Sequence, residues 1–319
     1  LQTLRLCQGL GLGGEWGGAV LMSFESAPES KRAFYGSLPQ IGMSIGLLLA
    51  SGVIALLSAI LSPEAFLSWG WRVAFILSAV LLIVGSYMRM TVQETKDFAE
   101  AKAKAPEAKF PLIEVFKKYP KMVLAGMGAR FLDGVSFNVF GVYSLTYLTQ
   151  QHGVHREAAL SSLIVASAVM AVAIPFWGQF ADRHGKAKIF GICVLLLGII
   201  SFPAFWVLHN YAHNFVLVTL TLTLAFAILH AGQYATMASL FSDSFPAEVR
   251  YSGISFVYQF TAIFASGLTP MIATALTGWA DGQPWYLCMY FCFWGVVSAL
   301  CTYALYKMSP QVKAAAGQA

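Results

Sequence analysis

The chain has 319 residues, of which 58% are hydrophobic and 11% charged, against about 25% charged in soluble domains. With a mean hydropathy of +0.67 and a net charge of +5, a soluble globular domain is excluded. Lys and Arg gather between apolar runs, where they mark topology in a bilayer and give no reason to invoke nucleic acid.

Nine apolar stretches long enough to cross about 30 Å of hydrocarbon follow one another. They cover residues 1–23, 34–60, 70–92, 120–149, 157–180, 188–209, 213–238, 250–278 and 284–307, which predicts an all-α integral membrane protein. The first carries Arg5, Gln8 and Glu15 among Gly9, Gly11, Gly13, Gly14, Gly17 and Gly18. Such glycines let helix backbones approach closely. A charge at bilayer depth costs roughly 2.5–3.5 kcal/mol on insertion scales and therefore usually faces a pathway. At about 100° per residue, Gln8 lies about 60° and Glu15 about 80° from Arg5, all on one face. The three are read as substrate or proton-pathway residues; the plainer reading is a fixed ion pair that packs the bundle. Because the run opens on Leu1 without a flanking loop, upstream sequence is expected.

Residues 93–119 are polar, rich in Lys, Ala and Glu, and hold Pro106 and Pro111, the composition of a flexible linker. They separate a first group of spans (1–92) from a second (120–308), which is followed by a tail over 309–319. In the span after the linker, Arg130 and Asp133 are helix neighbours, with Asn138 further along. An unpaired carboxylate at mid-membrane is expensive, so Asp133 is expected to pair with Arg130. That pair is either structural or part of a site, since the planar fork of Arg suits a substrate carboxylate.

Further along, Gly178-Gln-Phe-Ala-Asp182-Arg183-His-Gly185-Lys186-Ala-Lys188 forms a short basic turn between two spans. Asp182 is placed to sit against the N-terminus of the second span near residues 33–36, with Arg183 pairing to an acid such as Glu25. Those contacts would latch the two groups of spans together; the plainer reading is a solvated turn. Beyond it, His230, Gln233 and Tyr234, then Tyr258, Gln259 and Thr261, add polar groups at cavity depth. Amides and hydroxyls suit a hydroxylated substrate and His230 titrates near neutrality, although a lone His in a span is as often an interhelical hydrogen bond.

An internal repeat links the two groups. Glu25-Ser-Ala-Pro28-Glu-Ser-Lys-Arg32 matches Asp243-Ser-Phe-Pro246-Ala-Glu-Val-Arg250 at an offset of 218 residues, which also sets Glu15 against Gln233. Paired halves are a common transporter plan, and equal halves would require three more spans before residue 1, twelve in all. Arg5 and Arg130 lie inside spans and Arg72 and Arg156 fall on one side, so the other sixteen of the twenty Lys and Arg share the opposite side. The positive-inside rule makes that side, with the C-terminus, cytoplasmic.

Arg5-x-x-Gln8-Gly9-x-Gly11 resembles the fourth-helix signature of the major facilitator superfamily, and the turn from Gly178 to Lys188 resembles that superfamily's short cytoplasmic signature. Ala187 stands where a second basic residue is usual. Gly13-Gly14-Glu15-Trp16-Gly17-Gly18-Ala19, Ser68-Trp69-Gly70-Trp71-Arg72, and Tyr251-Ser252-Gly253 with Tyr258-Gln259 are similar to the metabolite:proton symporter family, nearest its shikimate branch. The resemblance covers essentially the whole chain, as helices four to twelve. It implies proton symport by rocking of two six-helix bundles; the latch and the repeat together put the expected cytoplasmic gate at Gly178, Asp182, Arg183, Gly185, Lys186, Glu25, Arg32, Asp243 and Arg250.

The expected function is secondary transport of a small carboxylate, shikimate by resemblance, with protons, in a bacterial-type inner membrane. Rivals are 2-oxoglutarate- or citrate-type acids, betaine or proline, and an inactive partial transporter. No enzyme is expected, because no nucleophile–base set lies near either interface. Cys7, Cys193, Cys288, Cys292 and Cys301 fall in spans as small hydrophobes. The pairs His152/His155 and His209/His213 lack the companions of a metal site, and no phosphate loop appears. Neither cofactor nor metal is expected, and the only partners indicated are substrate, protons and the lipid bilayer.

Overall fold

In the computed structural model the described residues are 15–91 and 111–309, with Thr3 and Gly9, and no strand occurs among them. Arg5 and Gln8 lie outside the described residues, so the face expected to join them to Glu15 does too.

The helices, in chain order, are α1 (Glu15–Glu25), α2 (Arg32–Ile60), α3 (Trp71–Thr91), α4 (Pro111–Lys118), α5 (Pro120–Asn138), α6 (Arg156–His184), α7 (Lys186–Asn210), α8 (Phe215–Ser244), α9 (Arg250–Trp279) and α10 (Trp285–Met308). Seven helices among the described residues are long and apolar enough to cross a membrane. The helical run that α5 opens, which continues through π-helical turns to Gln151, is not one of the seven; Arg130, Asp133 and Asn138 lower its apolar character.

Two boundaries differ from the sequence reading. The third span begins at Pro63, not residue 70, because Ser62 caps a first turn by accepting from the Ala65 N–H at 3.2 Å and Pro63 supplies a preset φ. The end of the polar linker is the amphipathic helix α4. Val115 on it is fully buried and Phe116 meets Phe256 of α9 edge-on at 4.7 Å, while Lys117 and Lys118 in its last turn complement the helix dipole.

Large apolar side chains such as Leu56, Leu82, Val216, Trp279 and Leu300 are exposed, as a lipid-facing surface requires. The core lies mainly among α5–α10. At its centre α8 is buried at every residue from Leu229 to Ser242, so this stretch has no lipid-facing side.

The two groups meet along α2. A Cβ at Gly178 of α6 would stand 2.6 Å from Ser37 Oγ and 2.9 Å from the Ala33 carbonyl oxygen, so only glycine allows this crossing. Gly185 separates α6 from α7 with φ +94°, a conformation costly for any other residue.

Candidate functional site

The crossing at Gly178 sets the position of Asp182, one turn further along α6. Its carboxylate accepts from the backbone N–H groups of Ala33 at 2.8 Å and Phe34 at 2.9 Å, in the first turn of α2. Two donors that an isolated helix leaves unpaired are thereby satisfied, and the charge lies at the positive end of the helix dipole. Beside it, Lys186 Nζ reaches Asp243 Oδ2 at 2.5 Å, and Arg250 Nη1 reaches Glu25 Oε1 at 3.3 Å. Arg32 contacts Glu29 at 3.8 Å. The acid expected at Arg183 is thus held by Arg250, and Arg183 is exposed.

Sequence reasoning missed the aromatic hub of this cluster. Phe24 is 1% exposed, and its ring centroid lies 4.9 Å from Arg32 Cζ, 5.4 Å from Lys186 Nζ and 5.8 Å from Arg250 Cζ. The ring offers its negative face to cations drawn from both groups of spans.

A second cluster lies deeper. Arg130 and Asp133 are each 3% exposed, and Arg130 Nη2 stands 3.9 Å from Asp133 Oδ2, at the outer limit of an ion pair. Asp133 Oδ1 is 3.8 Å from His230 Nδ1. That nitrogen lies 2.8 Å from Ser136 Oγ and 3.0 Å from Gln233 Nε2, and Gln233 also donates to Ser136 Oγ at 2.9 Å. Among the described residues, Arg130 Nε and Nη1, Asp133 Oδ1, His230 Nε2, Gln233 Oε1 and Thr261 Oγ1 are buried without a hydrogen-bond partner. Orphaned polar atoms are rare in folded proteins, and those of Arg130, Asp133, His230 and Gln233 belong to one chain of contacts.

Tyr258 of α9 lies on Arg130, its ring centroid 4.0 Å from the guanidinium carbon. Trp16 of α1 stacks on the same ring at 3.8 Å and 11°. Trp16 Nε1 donates to Gln40 Oε1 at 2.9 Å, and Gln40 Nε2 donates to the Tyr234 carbonyl at 3.1 Å. Counted at 1.5 Å per residue, Trp16, Gln40, Arg130, Tyr234 and Tyr258 all lie about 12–15 Å from the basic ends of their helices.

Other expected residues stand apart from this cluster. Asn138 donates to the Gly134 carbonyl of its own helix at 2.9 Å. Glu15 is exposed at the start of α1, and Gln259 is half-buried beside Tyr258. Ser136, Gln40 and Trp16 were not foreseen, although Ser37, Gln40 and Ser44 form a polar stripe on one face of an apolar helix and all three are buried.

A family model described as Major Facilitator Superfamily matches residues 126–318. The chain belongs to the major facilitator superfamily. A model described as Sugar (and other) transporter matches residues 1–118. This superfamily member is 33% identical over 302 residues to the shikimate transporter of Escherichia coli (strain K12), which covers 94% of this chain and 68% of that protein. It is 38% identical over 280 residues to the inner membrane metabolite transport protein YhjE of the same organism, covering 86% and 63%. With the E. coli proline/betaine transporter the identity is 28% over 287 residues, covering 86% and 56%. The chain thus spans 56–68% of the length of these relatives. A crystal structure of a double-tryptophan variant of XylE shares the fold, with a TM-score of 0.71 at 17% identity over 92% of this chain and 68% of that one. The protein is an integral multi-pass membrane protein of a transporter family, and not an enzyme.

Proposed function

We propose that the chain carries a small carboxylated metabolite across a bacterial-type inner membrane together with protons, by alternating access between two helix bundles. The observation that carries this reading is Arg130, a 3% exposed guanidinium with Nε and Nη1 unpartnered among the described residues at the centre of a polar cluster. An arginine fork of this kind binds a carboxylate through two parallel hydrogen bonds. Asp133, between Arg130 and His230, is the group placed to take up and release the proton; Glu15, being exposed, is the weaker choice.

The asymmetry of Lys and Arg makes the face of Asp182 and Lys186 cytoplasmic, with the C-terminus on that side. On that reading the closed latch belongs to a state sealed toward the cytoplasm, and residues 93–119 join the bundles. The relative named as a shikimate transporter supports shikimate as substrate.

The test is uptake of labelled shikimate into proteoliposomes holding the chain, with and without an inward proton gradient, in competition with 2-oxoglutarate, citrate, betaine and proline. Gradient-driven accumulation competed only by shikimate supports the reading. Transport of another acid alone removes the substrate, and uptake indifferent to the gradient removes the coupling. Arg130→Lys keeps the charge and loses the fork, so KM is expected to rise about ten- to hundredfold.

A further inference from the structure

We infer that the Trp16–Tyr258 stack is an inner closure of the Arg130 site, with Trp16 a positioning residue that acts on Arg130 through Tyr258. The inference rests on the reading above in taking Arg130 as the anchor and the basic face as cytoplasmic. Trp16 and Gln40 come from the first group of spans, and Tyr258, Tyr234 and Arg130 from the second. Two groups within 4.0 Å of one ring centroid, one of them a parallel indole, cannot share a face, so Tyr258 is held between Trp16 and Arg130.

The indole is fixed by its bond to Gln40, and Gln40 by its bond to the Tyr234 carbonyl. The helix of Trp16 comes this close because the next residue is Gly17, whose absent side chain leaves room for Ser255 of α9. The stack therefore joins the two groups at the depth of Arg130, while the ion pairs of the latch join them at the helix ends. Separation of the groups on the basic side must pull Trp16 off Tyr258. The guanidinium then keeps a ring that is no longer held from behind, so opening of the site and loosening of its anchor are one event.

Labelling of a cysteine at Thr261 tests this without any substrate. Thr261 is 1% exposed and lies one turn beyond Tyr258 on α9. Thr261→Cys is made in the full chain and in Trp16→Ala and Trp16→Phe backgrounds, and labelling of the parent chain is subtracted. A membrane-impermeant methanethiosulfonate is applied to inside-out and to right-side-out vesicles from the same preparations. Labelling from the basic side is expected to rise roughly three- to tenfold in Trp16→Ala and clearly less in Trp16→Phe, which retains a flat ring but not the bond to Gln40.

An unchanged rate in Trp16→Ala would overturn the proposal. So would an equal rise from both sides, which reports general loosening, and so would Trp16→Phe labelling as fast as Trp16→Ala. Should shikimate uptake fail while one-sided labelling holds, the substrate reading falls and the closure stands.

Discussion

Glu25 and Arg250 occupy unlike positions of the same repeated segment, and they pair with each other across the two groups of spans at 3.3 Å. The acid of the first copy is held by the arginine of the second, so the repeat supplies its own cross-link. Both side chains are less than one-fifth exposed, which places the pair between a surface bridge and a buried one.

Arg250→Gln is therefore expected to weaken closure of the basic face by about 1 kcal/mol, roughly a fivefold change in the balance of states. The charge-reversed pair Glu25→Arg with Arg250→Glu should recover part of that loss. Cysteine accessibility from the basic side, measured on the single and double variants, checks both statements.

Asp182→Asn removes the charge at the start of α2 and leaves one acceptor for two N–H groups. A shift of about 1–2 kcal/mol toward opening on the basic side is expected. Accessibility should rise on that face and fall on the opposite one, and no change on either face would remove the latch from Asp182.

Gly178→Ala places a methyl group 2.6 Å from Ser37 Oγ and 2.9 Å from a backbone oxygen that cannot turn away. Overpacking of this kind costs about 1–3 kcal/mol, and the melting temperature in detergent should fall. Gly191→Ala, where a Cβ meets nothing within 4 Å, is the control, and it should be neutral or slightly stabilising.

At the end remote from the latch, Tyr147 Oη lies 2.8 Å from His209 Nδ1, and His152 packs edge-on to His209 at 4.9 Å. Burial, then the neighbouring His209 and His213, push the His152 pKa below its ordinary 6.5. The folded chain thus binds fewer protons at this site than the unfolded one, so stability is full above about pH 6.5 and declines as pH falls through the window below it. Melting curves from pH 7.5 to 5 should show a steeper acid loss for the native chain than for His152→Gln.

Much of this architecture was legible in the residues because the bilayer restricts what a chain can do. Runs of apolar residues revealed the spans, and the spacing from Gly178 to Asp182 reproduced one helical turn, which brought the carboxylate to Ala33 and Phe34. The exchange of Arg183 for Arg250 at Glu25 was hidden, since charge sign does not say which of two nearby arginines has the reach. Trp16 was hidden for another reason: an aromatic residue in an apolar helix looks the same whether it faces lipid or stacks on Tyr258. The polar stripe Ser37, Gln40 and Ser44 was available in the sequence and would have pointed to the face that meets Tyr234.

The unbroken burial of α8 from Leu229 to Ser242 has a mechanical meaning. A rod gripped all round can swing only if its neighbours move too, because close-packed interiors leave no space to swing into. His230, Gln233 and Tyr234 are therefore mounted where both groups of spans bear on one helix, and any displacement of α1 or α2 changes what that helix touches. The Tyr234 carbonyl, held by Gln40 of α2, is the point at which this shared helix feels the first group of spans directly.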